Sequence, residues 1–171
     1  MNEPGAAAPL LLKSRDDVDT QRWGAELARS IVPLLGGARA FVVALSGPLG
    51  AGKTTLVRGL LAHLGVRSAV RSPSYALLEN YDTPHCQALH VDLYRLSHPE
   101  EVEGLGLRDF DNPGALWLVE WPERAAGLLP PADLRAQLRI ESDYHEITLT
   151  AGSQSGIAVL RQLRAQTVGL A

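Results

Sequence analysis

The sequence predicts an α/β fold, a single domain whose mixed parallel/antiparallel sheet is flanked by helices. Three observations predict it. The apolar run "AFVVALS" (40–46) leads into a glycine-rich loop and then a helical pattern, as a buried strand followed by a packed helix does. A second run, "ALWLV" (115–119), is apolar enough to be buried on both faces. Shorter segments flank turn signals in two places and read as antiparallel hairpins.

The chain's 171 residues suit one domain, with 46% hydrophobic and 20% charged residues, an ordinary globular balance. A net charge of −3 argues against a polybasic surface and against strong direct RNA binding. Cys86 is the one cysteine, so no intramolecular disulfide forms, and a reducing, cytoplasmic setting is expected. No run reaches the roughly 20 apolar residues that span a bilayer, so no membrane association is expected.

Residues 1–12 read as a flexible N-terminal tail and 13–171 as the domain. Ser14, with Asp17 three residues on, predicts a helix start; Trp23, Leu27 and Ile31 give its apolar stripe, and Gly36-Gly37 end it. Residues 40–46 form the central strand. "KTTLVRGLLAHLG" is a helix with Leu56, Leu60 and Leu64 on one stripe and Gly65 as its stop. "SYALLENY" and "CQALHVDLYRL" surround "DTPH" as a hairpin. "SHPEEVEGLG" carries a short helix start at Ser97, Pro99 and Glu100. "DNPG" turns into the second buried strand. "LRAQLRIE" and "HEITLT" make the second hairpin, and "IAVLRQLRAQTV" is an amphipathic closing helix.

The loop "GPLGAGKTT" carries the chemistry. Gly47, Gly52, Lys53 and Thr54 satisfy G-x-x-x-x-G-K-[ST], placed between a strand and a helix, which makes the domain P-loop NTPase-like. Glycines let the backbone curl so that successive amides point inward, and the helix start adds free N–H groups and a positive dipole end. Lys53 is expected to reach the β- and γ-phosphates, Thr54 to ligate Mg²⁺, and Thr55 to donate to the α-phosphate. Only Lys13 and Lys53 are lysines against fourteen arginines, so a lysine at this position is not a compositional accident. Pro48 has no N–H, so the amide cradle comes from residues 49–55.

Such a loop needs carboxylates at neighbouring strand ends. Glu120 closes "ALWLVE", and in "LHVDLY" alternation sends Leu89, Val91 and Leu93 one way and His90, Asp92 and Tyr94 the other. The alternatives are an exposed strand-end acid at Glu120 and a solvated face at His90 and Asp92. His90 has no cysteine partner and suits a hydrogen bond better than metal ligation. "VRSPSYALL" is a hydroxyl-rich loop, either of the kind that senses a γ-phosphate in nucleotide switches or a plain β-turn before a strand.

In fixed order, "GPLGAGKTTLVRGLLAHLG", "RSPSYALLENY", "HVDLYRL" followed by "PEEVEGLGLRDF", and "LVEWPER" resemble the TsaE (YjeE) family, from about Asp17 to Pro130. The resemblance implies a Mg²⁺-dependent ATPase supporting the threonylcarbamoyladenosine modification of tRNA, which binds and resets the TsaB–TsaD heterodimer. It implies ATP contacts from Gly47, Gly50, Ala51, Gly52, Lys53, Thr54 and Thr55, and Mg²⁺ held by Thr54 and Glu120. Asp92 would sit beside the γ-phosphate, with Lys53 and Glu120 completing the catalytic set and Ser74 on a switch loop running from Ser72 to Tyr75. Asp17 and Tyr144 would flank the base. Pro48 stands where the family usually has an acid, and Ser74 where threonine is commoner. A P-loop small-molecule kinase and a non-catalytic ATP-binding assembly factor are the remaining readings. The first needs an acceptor pocket and a lid, and the second has no use for both Asp92 and Glu120.

Overall fold

The structure is a computed structural model and describes residues 7–168. In chain order it comprises β1 (Leu10–Ser14), α1 (Asp17–Ile31), β2 (Phe41–Ser46), α2 (Lys53–His63), β3 (Leu78–Asp82), β4 (Gln87–Asp92), β5 (Leu116–Glu120), β6 (Leu134–Ile140), β7 (His145–Ala151) and α3 (Gln154–Val168). A 3-10 turn, Val32–Leu34, ends α1, and three later 3-10 segments cover Pro99–Leu105, Leu107–Phe110 and Pro122–Ala125. The seven strands form one sheet in the order β1-β7-β6-β2-β5-β4-β3.

The four central strands, β6, β2, β5 and β4, run parallel, and the antiparallel partners β3, β7 and β1 lie outside them. This is the expected mixed sheet flanked by helices. Strand alternation divides its core. Val43, Leu45, Leu116 and Leu118 pack with Leu27 and Ile31 of α1, Leu56 and Leu60 of α2, and Leu160 of α3. Val42, Leu89, Val91, Trp117 and Val119 face the other way, under Val102, Leu107 and Ala125 of the 3-10 segments. The α-helices thus share one face and the 3-10 segments close the other.

The predicted tail is too long at its C-terminal end, because Leu10–Leu12 belong to β1, paired with β7 from Leu10↔Leu149 to Ser14↔His145. Three consecutive leucines carry no period-two signal, yet the pairing sorts them: Leu12 is buried and Leu11 is exposed. The rest of that expectation, at residues 1–6, lies outside the described residues, as do 169–171 of the domain. Ser14 is likewise not the cap of α1. Asp16 is, its Oδ1 accepting the Asp19 amide at 2.8 Å, while the Ser14 hydroxyl contacts Thr20 Oγ1 at 2.6 Å.

Two glycines fix how α1 lies on α2. A Cβ at Gly24 would stand 2.8 Å from the Leu60 amide nitrogen, and one at Gly59 would stand 2.5 Å from the Gln21 carbonyl carbon. The helices therefore touch backbone to backbone, which carries the N-terminus of α1 towards the loop after β2. No helix among the described residues is long and apolar enough to cross a membrane.

Candidate functional site

The site lies at the C-terminal ends of the parallel strands. There the chain leaves β2 for one side of the sheet and later returns on the other as β6, the kind of switch point where open α/β sheets bind ligands. The loop from Gly47 to Gly52 turns β2 into α2. Gly47 has φ 139°, and a Cβ there would press on the Leu138 backbone of β6; Gly50 and Gly52 have φ 80° and 98°. All three values favour glycine. Gly52 is the N-cap of α2 and contributes no side-chain cap, and the first helical bond is Leu56 N–H to Gly52 C=O at 2.9 Å. The amides of Lys53, Thr54 and Thr55 precede that bond, so they and the positive dipole end suit an anion.

Lys53 folds back over the loop. Its Nζ donates to the carbonyls of Gly47 at 2.7 Å and Pro48 at 2.9 Å and stands 4.0 Å from the centre of the Trp121 ring. Burial pushes the ammonium pKa down, and the nearby Glu120, Glu123 and Asp92 carboxylates partly oppose that.

Asp92 and Glu120 are register partners at the ends of β4 and β5, 3% and 2% exposed. Neither the exposed acid nor the solvated face holds, because the 3-10 segments and α2 cover both sides of these strands. Glu120 accepts from the Thr54 hydroxyl at 2.8 Å (Oε1) and 3.1 Å (Oε2), and His90 Nε2 lies 2.8 Å from Oε1. Asp92 accepts from the Ser72 hydroxyl through Oδ2 and from the Tyr94 amide at 2.9 Å through Oδ1. Its own amide donates to Leu77 C=O at 2.9 Å, and the Leu77 amide returns to Pro73 C=O at 2.6 Å, with Leu77 at φ 66°. The 72–77 loop is therefore fastened to the strand end that carries Asp92. Thr54 and Glu120 together offer only oxygen donors, a set that suits a hard cation.

These groups meet in a cleft of ≈ 420 Å³. Of the residues singled out from the sequence, Asp17, Gly50, Gly52, Lys53, Thr54, Thr55, Ser74, Asp92 and Glu120 line it. Gly47 sits behind the loop. Ala51 is fully buried in the core and its amide donates to Pro48 C=O at 3.2 Å. Tyr144 is not in the wall; it lies in the β6–β7 turn with the Lys13 ammonium 4.7 Å from its ring. Leu49, the first residue of the expected amide cradle, also lines the cleft, as do Tyr94 and Arg95, to which the sequence assigned no nucleotide contact. All three lie within "GPLGAGKTT" or "HVDLYRL", so membership of those motifs was the signal available.

Residues 14–148 match the family described as "Threonylcarbamoyl adenosine biosynthesis protein TsaE". Among curated proteins, the chain is 40% identical over 141 residues to tRNA threonylcarbamoyladenosine biosynthesis protein TsaE of Haemophilus influenzae, covering 82% of this chain and 89% of that one. It is 34% identical over 137 residues to the protein of the same name from Treponema pallidum, covering 80% and 96%. The crystal structure of Bacillus subtilis YdiB superposes with a TM-score of 0.74 at 25% identity, covering 96% of this chain and 99% of YdiB. The match spans the phosphate-type loop, both buried carboxylates and the strands that carry them, and the chain belongs to the TsaE family of threonylcarbamoyladenosine biosynthesis proteins.

Proposed function

We propose that the chain is a Mg²⁺-dependent ATPase that serves the threonylcarbamoyladenosine modification of tRNA by binding and resetting the TsaB–TsaD heterodimer. The observation that carries the reading is the pair of buried carboxylates, side by side in register, facing a loop that ends in Lys53 and Thr54. An anion nest alone would suit any phosphate. Adding two buried acids, one already touching Thr54, suits a triphosphate that is to be cleaved.

In this reading the amides of Gly50 and of residues 52–55 bind the phosphates, while that of Ala51 stays on Pro48 C=O, and Lys53 exchanges its carbonyl acceptors for phosphate oxygens. Thr54 and Glu120 would hold Mg²⁺, which fits their oxygen donors, with phosphate and water completing its shell. Bound Mg²⁺ neutralises charge on the phosphate oxygens. Asp92 orients water rather than acting as a strong base, because a loose phosphoryl-transfer transition state asks little of one. Ser72, tied to Asp92, links the site to the 72–77 loop and to Tyr75, which is 84% exposed and packs under Arg95. A change at the γ-phosphate position can thereby alter the outer surface that a partner meets.

The test is phosphate release from Mg²⁺·ATP by the purified chain, alone and with the TsaB–TsaD heterodimer, with Lys53→Ala as the blank. Release stimulated by the heterodimer and lost, by about 10²-fold or more, in Lys53→Ala and Glu120→Ala supports the proposal. ADP formed only when an acceptor is added, with the phosphoryl group on that acceptor and no free phosphate, points to a kinase. Nucleotide binding without release under either condition points to a non-catalytic assembly factor.

A further inference from the structure

We infer that His90 is a positioning residue, which holds the Glu120 carboxylate towards Thr54 and so sets how strongly the site takes its divalent cation. The inference rests on the Mg²⁺·ATP reading above. His90 is fully buried on β4, and its Nε2 lies 2.8 Å from Glu120 Oε1, the same oxygen that accepts from Thr54. An ionised carboxylate only accepts hydrogen bonds, so Nε2–H is the donor. The other ring nitrogen, Nδ1, is buried with no hydrogen-bond partner. A leucine would fill this place in the core without a buried unpaired nitrogen, so packing alone gives no reason for an imidazole here.

The surroundings give that reason. Glu120 and Asp92 are adjacent carboxylates and repel each other, so each needs donors to fix its direction. Asp92 has the Ser72 hydroxyl and the Tyr94 amide. Glu120 has Thr54 and His90. Thr54 would itself join the cation's shell, which leaves His90 as the one side-chain donor to Glu120 from outside that shell among the described residues. Donors behind a ligating carboxylate change metal affinity by about 10–100-fold when removed.

The experiment uses the full chain and three substitutions, His90→Leu, His90→Asn and His90→Gln. Gln carries its amide nitrogen out to the level of Nε2 and can still reach Glu120; Asn stops at the level of Nδ1. Calorimetry measures the affinity for a non-hydrolysable ATP analogue in excess Mg²⁺ and again in EDTA, and thermal melts report folding. The expected result is that His90→Leu and His90→Asn lose about 10–100-fold of the Mg²⁺-dependent gain with affinity in EDTA unchanged, while His90→Gln stays within about threefold of wild type. If His90→Leu does not fold, the Asn and Gln pair decides, since both are polar and differ in reach. Asn equal to wild type, or Gln as impaired as Asn, overturns the inference and leaves the ATP reading standing. A wild-type chain that binds no nucleotide overturns both.

Discussion

Replacing Gly59 by alanine sets two effects of opposite sign against each other. In an exposed helix the change is favourable by about 1 kcal/mol, because alanine gives up less backbone freedom than glycine. At this position the new methyl would sit 2.5 Å from both the Cα and the carbonyl carbon of Gln21, where ordinary contact begins at 3.4 Å. The obstruction is backbone, so no side chain can rotate away, and α1 must withdraw by about 1 Å to restore ordinary contact. Retreat on that scale also loosens the packing of Leu27 and Ile31 against Leu56 and Leu60, and a gap of about 0.5–1 Å forfeits a quarter to a half of each contact. Overpacking typically costs about 1–3 kcal/mol, and a rigid obstacle belongs at the upper end, so Gly59→Ala should lose about 1–2 kcal/mol net of the propensity gain. That lowers Tm by roughly 2–8 °C in a domain of this size. Urea unfolding at equilibrium measures it. Asp17, at the start of α1, lines the cleft, so nucleotide affinity should weaken in step. A Gly59→Ala chain more stable than wild type by the full propensity gain would refute the backbone-to-backbone contact.

Two further outcomes follow from single contacts. Ser72→Ala removes a donor from the Asp92 carboxylate while leaving the Tyr94 amide at 2.9 Å; water in the open cleft can replace the hydroxyl, so stability should fall by only about 1 kcal/mol. The larger effect should be faster amide hydrogen exchange confined to residues 72–77, and an unchanged exchange profile would show that Ser72 does not fasten the loop. Tyr81 carries a buried hydroxyl with no hydrogen-bond partner, and burial, with the neighbouring Glu79 carboxylate, pushes its phenol well above the usual range. The unfolded chain therefore releases this proton near the ordinary pKa of about 10 while the folded chain keeps it, so stability is lost as pH rises above about 10. Tyr81→Phe should flatten that loss in urea midpoints taken from pH 9 to 11, and an identical pH slope in the two proteins would count against it.

The parts of the fold legible in the sequence are those where one residue type has one physical use. The glycines of the 47–52 loop, the leucine stripe of α2 and the doubly buried β5 all lie where their patterns placed them. What escaped depended on contacts between segments distant in the chain. Gly24 and Gly59 look like ordinary helix-weakening glycines until α1 and α2 are seen to meet there. Leu10–Leu12 become a strand only because β7 offers an edge. Asp16, rather than Ser14, caps α1, since Ser14 is held in β1 and bonded to Thr20. At the site, alternation along β4 put His90 and Asp92 on one face, but it could not distinguish a wet face from one covered by a helix. Tyr144, which the resemblance places beside the base, has its ring by Lys13, and a turn's sequence does not say which way its ring points.

Burial of charge differs between the two ends of the sheet. At the N-terminal end of β2, Asp133 is buried and fully answered: the Arg39 guanidinium meets both its oxygens at 3.1 Å and the Val42 amide donates at 2.9 Å. That arrangement serves the fold, because a bidentate partner offsets the desolvation of the carboxylate. At the C-terminal end, Asp92 and Glu120 are buried as deeply, and among the described residues no arginine or lysine pairs with either. Lys53, which acts on both through its charge, gives its hydrogen bonds to loop carbonyls and has its pKa pushed down by burial. A chain that answers one buried carboxylate with a guanidinium had the same solution available for the other two. Under the proposed Mg²⁺·ATP reading, leaving them with hydroxyls, an amide and an imidazole would keep their charge for a cation that arrives with phosphate, and ligand binding would then be a source of stability that the free protein lacks.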